Sequence, residues 1–133
     1  DAMISKAGFG LDMWMNNRHQ MEVWRNSHCS EFDFQRMLKQ SICRKNTRAA
    51  KHDETLAINE SKLNWLLERF KEETPELGST LWAAYNALTH YATHLPGTHT
   101  RNSNKELVAT RRNDEVRKVI EGDFWRGLER EVA

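Results

Sequence analysis

The stretch Gly78–His94, GSTLWAAYNALTHYATH, constrains the fold of this 133-residue chain more than any other. Ser79 or Thr80 can cap a helix, because a side-chain oxygen there accepts from backbone N–H groups that the first turn leaves unpaired. Leu81, Ala84, Tyr85, Leu88, Tyr91 and Ala92 follow at helical intervals and line one side of that helix. Trp82 widens the stripe, and the alanines let a neighbouring helix come close. The same helix carries Asn86, Thr89, His90 and His94. Polar groups on a buried element need hydrogen-bond partners, so this helix is either internally networked or lines a site.

Five Trp and five Phe supply a large apolar area, so a chain of this length reads as one globular domain over residues 1–133. No apolar run approaches 18 residues, so no membrane-spanning helix and no membrane partner are expected. No basic-then-apolar leader opens the sequence, and its two cysteines, Cys29 and Cys43, suit a reducing setting. The expected location is cytoplasmic, with a Cys29–Cys43 disulfide as the minority reading. Asp1 and Ala2, ahead of Met3, read as a vector remnant, with Met3 the natural start or a cut point.

Along the chain, residues 4–28 alternate apolar and polar positions around Asn16–Gln20, which predicts a β-hairpin. A helical face through Leu11, Trp14, Arg18, Met21 and Arg25 is the competing reading. Ser30 caps a helix with Glu31 and Asp33 in its first turn, running to about Lys45. Thr47 either restarts a second helix through Ile58 or marks a kink. Asn59 caps the next helix, which Pro75 and Gly78 end, making an antiparallel hairpin with the organising helix. Residues 95–112 read as a polar basic loop, with Glu106–Thr110 either a helical turn or still loop, Asn113 as the cap of a short helix ended by Gly122, and Asp123 as the cap of a last one. The fold class is mainly α: a compact bundle of four to six helices, with a short N-terminal β-hairpin as an addition. The expected core is Leu63, Leu66, Leu67, Phe70, Leu81, Trp82, Tyr85, Leu88, Val116, Val119 and Ile120.

Chemistry-bearing patterns are sparse. His90 and His94 stand one turn apart, a spacing that can hold a metal, but without the Glu of a zinc-protease motif. Cys43 beside Arg44 and Lys45 has no histidine placed to activate it, and Gly8-Phe9-Gly10 lacks the rest of a phosphate loop. The reading is a non-enzyme without metal or cofactor.

Charge points elsewhere. Net charge is +1, yet Phe34 to His52 holds six basic and no acidic residues, while Asp53 to Leu77 holds seven acidic against three basic. Packing of the two blocks against each other is the leading explanation, and a basic face toward a polyanion the alternative. DNA is the expected partner under the second reading. Its contacts would be Arg44, Lys45 and Arg48 in one segment and Arg101, Lys105, Arg111 and Arg112 in another, with Arg117 and Lys118 beyond them. Trp14, Trp24 and Trp125 are either base-stacking platforms or core. A module that binds or inhibits a host or phage protein fits the same composition, and a homo-oligomer follows if the organising stripe is wider than one chain can bury.

The organising helix also resembles the signature of a phage- and plasmid-encoded family, domain of unknown function 932. The matching positions are Gly78, Thr80, Trp82, Tyr85, Asn86, Ala87, Thr89, Tyr91 and His94, with Ser79 as one extra residue. The resemblance spans roughly Asn59 to Leu128, the family's C-terminal region. Family members are usually longer, with an N-terminal portion expected here to be lacking or reduced to the first thirty residues. What the resemblance implies is a mobile-element setting, with recombination by strand annealing the activity suspected for some members. Trp82, Tyr85, Asn86, Thr89 and His94 become motif residues, His94 at the rim being the favoured functional contact and the others mainly organising the fold.

Overall fold

A computed structural model describes residues 18–45, 47–53, 56–94 and 105–130, with the backbone alone for residues 105–109. Seven helices run through them: α1 (Arg18–Asn26), α2 (Glu31–Lys39), α3 (Arg48–His52), α4 (Glu60–Leu77), α5 (Leu81–His94), α6 (Lys105–Ile120) and α7 (Asp123–Leu128). Five are nine residues or longer, so the expected bundle of four to six helices stands, with α3 and α7 as short connecting turns. Helix α5 packs against α4, α6 and α1, while α2 lies on α4 and α7 on α6. The organising stretch is therefore the central helix.

Local chemistry starts most of these helices where expected. Ser30 and Asp33 form a capping box on α2, each side chain accepting from the other residue's backbone N–H at 3.0 and 3.1 Å. Thr47 caps α3 through Ala50 N, and Asn59 caps α4 through Lys62 N. At α5 the cap is Thr80, whose hydroxyl accepts from Ala83 N and donates to Leu77 O, both at 3.2 Å. Gly78, at φ 76°, ψ 172°, makes the turn between α4 and α5 in a region that side chains disfavour.

Several boundaries differ from the sequence reading, among them α3, which ends at His52 rather than Ile58, and α7, which has Gly122 at its cap position and Asp123 as its first residue. Residues 18–26 are helix, not the second strand of a hairpin, because helical spacing puts Val23, Trp24 and Ser27 together on the core side. Strand alternation would send Val23 and Trp24 to opposite faces. The rest of the expected hairpin lies outside the described residues. Helix α2 stops at Lys39, since the following backbone turns to pair elsewhere: Lys45 N donates to Ala57 O at 2.6 Å and Asn59 N to Cys43 O at 2.8 Å. Residues 105–112 are helix rather than loop, and Asn113 sits inside α6 instead of capping it. Lys, Glu, Leu and Arg there are good helix formers, and polarity alone misread them as loop. Residues 95–104 lie outside the described part.

Pro75 does not end α4 either; it occupies the last turn. Proline leaves the carbonyl four residues earlier without its N–H partner, and the Thr74 hydroxyl supplies one, donating to Lys71 O at 3.2 Å.

Nine of the eleven expected core residues are buried, and Leu67 and Trp82 pack against them partly exposed. The centre is an aromatic group, and it decides between the two readings of the tryptophans. Trp24 is 1% exposed and Trp125 0%, so neither is a surface platform for bases, and Trp14 lies outside the described residues. The Trp24 ring lies 4.9 Å from Tyr85 and 5.4 Å, edge-on, from Trp125. Its indole N–H and the Gln20 amide both donate to Glu129, each at 2.6 Å. Ser27, also fully buried, accepts from Arg130 N with its hydroxyl and from Leu81 N with its carbonyl. Among the described residues no helix is long and apolar enough to cross a membrane.

Two glycines give opposite expectations. Gly78→Ala should cost about 1–3 kcal/mol, since alanine must adopt the same strained backbone, although its Cβ would meet only Thr80 Cγ2 at 3.7 Å. Gly127→Ala lies in α7 with open space around the new methyl and should stabilise by about 0.5–1 kcal/mol. Urea unfolding of the two variants checks the sign of each.

Candidate functional site: a lysine-centred polar cluster

Where α4, α5 and α6 meet, four polar side chains are drawn into one cluster. Lys62, in the first turn of α4, places Nζ 3.2 Å from Glu115 Oε2 and donates to Ile42 O at 3.3 Å. The Tyr91 hydroxyl donates to the same Glu115 oxygen at 3.2 Å. Two cations approach the Tyr91 ring, Lys62 Nζ at 5.6 Å and the Arg112 guanidinium at 4.7 Å. Arg112 also donates to Tyr91 O at 3.3 Å.

Lys62 and Glu115 keep only 24% and 23% of their side chains exposed, so this pair is screened less than a surface one. Burial alone would lower the Lys62 pKa, but the Tyr91 hydroxyl and the Glu115 carboxylate outweigh it and hold the ammonium above its ordinary range. Burial raises the Tyr91 phenol, helped by Glu115 and opposed by Lys62 and Arg112. Cys43, next to Ile42, senses the same charges; burial pushes its thiol up to about 12, with Lys62 pulling down and Glu115 pushing up.

This cluster joins the two expected basic segments. One ammonium contacts the carbonyl two residues before Arg44 and the carboxylate three residues after Arg112. Arg44, Lys45 and Arg48 are exposed on the first segment; Arg111 is exposed and Arg112 half-buried on the second. Lys105 opens α6, its side chain undescribed, and Arg101 lies outside the described residues. The sequence reading missed Lys62 and Glu115 as site residues. Glu115 looked like a first-turn acid of a short helix, and Lys62 like an ordinary charge in an acidic stretch. The signal was available only as an isolated cation within that stretch.

The motif residues behave otherwise. Asn86 donates to Trp82 O at 2.7 Å and Thr89 to Asn86 O at 3.0 Å, so both bond the backbone of their own helix. Tyr85 is buried, which raises its phenol pKa. Trp82 is half-buried with the Arg25 guanidinium 5.2 Å over its ring. His94 is exposed and stacks on His90 at 3.5 Å, and His90 stacks on Trp65 at 5.6 Å. This ring stack borders a groove of about 610 Å³ that α4 lines with Ser61, Asn64, Trp65, Glu68, Arg69 and Glu72. Burial, Arg69 and His94 lower the His90 pKa against the pull of Glu73 and Glu72. No group of three or more His, Cys, Asp or Glu able to hold a metal lies among the described residues. Cys29 and Cys43 are both buried and free.

The profile of the family described as Domain of unknown function (DUF932) matches residues 3–117, and the chain belongs to that family. The match takes in the N-terminal sixty residues as well as the motif helix, and stops short of α7. No curated protein and no solved structure matches the chain.

Alkaline stability follows from these pKa values. Cys29 and Cys43 are each raised by burial from 9.0 to about 12, and Lys62 and Tyr91 are raised too. A group with a raised folded-state pKa holds its proton longer folded than unfolded, so stability is full below the unfolded pKa and falls as pH rises toward the folded one. Urea midpoints should therefore be flat to about pH 8.5 and fall above it, each thiol contributing a slope of about 1.4 kcal/mol per pH unit. Cys43→Ala should flatten part of that slope; an unchanged slope would count against a buried thiol.

Proposed function

We propose that this chain is a non-enzymatic nucleic-acid-binding domain, a recombination-accessory protein of a phage or plasmid working in the cytoplasm. Carrying this reading is the Lys62 bridge, which holds the Ile42–Arg44 backbone against the helix that bears Arg111 and Arg112. Cations on two segments tied at one point supply charge that can follow a run of phosphates, where charge counts for more than base identity. Membership of a family without an assigned activity is compatible with this and supplies no chemistry of its own. Trp24 and Trp125 contribute to the core here, so affinity rests on phosphate contacts.

A second reading, a module docking on a host or phage protein, draws on Phe32 and Leu56, large apolar side chains left 63% and 50% exposed. Phe32 sits on the α2 surface with the Arg36 guanidinium 5.7 Å over its ring.

Titrating a labelled oligonucleotide at several salt concentrations separates the two. Under the nucleic-acid reading log K falls linearly with log salt, by about 0.9 per phosphate engaged. Lys45→Glu with Arg48→Glu, and Arg111→Glu separately, should each weaken binding about tenfold or more and reduce the slope by about 1 per cation lost. Absence of binding at low salt sinks this reading and leaves the protein-docking one.

A further inference from the structure

The groove between α4 and α5 is left open by everything described so far. Its floor is the half-exposed Trp65 indole, stacked on His90. Along its rim stand Glu68 and Glu72, one turn apart, with side chains 70% and 64% exposed. Local cations do not balance this edge. Four carboxylates face two cations between Glu68 and Glu76. Arg69 is already shared by Glu72 and Glu73, and Lys71 by Glu68 and Glu31. Burial and Arg69 disfavour a positive charge on His90.

The complementary surface is on the same chain. Lys45, Arg48 and Lys51 are exposed within the segment that carries six basic residues and no acidic one. Arg48 and Lys51 stand three residues apart on α3, and Glu68 and Glu72 four apart on α4, so both pairs have neighbours about 5–6 Å apart. An arginine entering the groove also finds an indole within cation–π reach. The chain does not fill its own groove with Lys45, whose backbone is pinned to Ala57 O just before α4 begins. Glu68 and Glu72 lie about 12 and 18 Å along α4 from Glu60.

We propose that the Trp65 groove is the docking site for the Lys45–Lys51 segment of a second copy of this chain. Because two different patches meet, the contact is heterologous and propagates head to tail into an open chain or a closed ring. A net charge of only +1 leaves copies little long-range repulsion to overcome.

Analytical ultracentrifugation in the absence of nucleic acid tests this separately from the proposed function. At low salt the average mass should rise with concentration beyond that of a dimer. At 1 M salt, where the Debye length is about 3 Å, it should return to monomer. Glu68→Lys with Glu72→Lys, and Arg48→Glu with Lys51→Glu, should each be monomeric. Mixed together they should associate again, since the intact basic segment of the first fits the intact groove of the second and the two reversed patches are opposite in charge. That mixture also shows that both variants are folded. A wild-type chain monomeric throughout, association indifferent to both reversals, or a mixture that stays monomeric would each overturn the proposal.

Discussion

Ser27 is the point on which three remote parts of the chain depend. Its carbonyl receives the first N–H of α5, its hydroxyl receives the N–H of Arg130, and that hydroxyl also donates to Val23 O within α1. A fully buried polar side chain is costly unless it is satisfied, and Ser27 is satisfied only when α1, α5 and the segment after α7 are all in place. The neighbouring backbone repeats the tie, Cys29 N donating to Ser79 O at 2.9 Å. Trp24, three residues earlier, fills the space this junction creates, with Tyr85 and Trp125 around it. The position of the central helix is thus set at its first turn, by residues fifty places upstream and downstream.

Charge is arranged around that frame in two ways. At the α4–α6 contact, Lys62, Tyr91, Arg112 and Glu115 satisfy one another at partial burial, which makes the cluster a fixed part of the scaffold. Along the outer side of α4, Lys71 instead serves carboxylates in solvent, where ion pairs are weak and exchangeable. Arg36, from the basic block, lies over the Phe32 and Phe124 rings, and Lys71, inside the acidic block, reaches back to Glu31.

Much of the fold was legible. Caps at Ser30, Thr47, Asn59 and Thr80 are local events, decided within three or four residues, and the apolar stripes of α4 and α5 are long enough to show their period. What was not legible depended on partners far away in sequence. Trp24 could be read as surface because its neighbours Gln20, Arg25 and Asn26 are polar; its burial comes from Trp125 and Glu129, about a hundred residues on. Lys105–Arg112 looked like loop because its apolar content is low, yet helix formers suffice once Arg112 can rest on Tyr91. The candidate site suffered most. A cluster drawn from three separate helices leaves no single spacing motif, whereas the residues that do form a motif, Asn86 and Thr89, spend their polar groups on their own helix.

The bonds from Glu129 to Gln20 and Trp24 span 109 and 105 positions. Contacts of such separation form late, since the loop they close must be ordered first. During synthesis, at about 5–20 residues per second, the α4–α5 hairpin leaves the ribosome with its own contacts within reach, while the indole of Trp24 waits for the α7 segment. For those few seconds the chain carries an unfinished apolar pocket beside a finished hairpin. Its exposure to chaperones and to wrong partners is therefore governed by the timing of the segment that carries Trp125 and Glu129, a kinetic vulnerability that the stability of the folded state does not report.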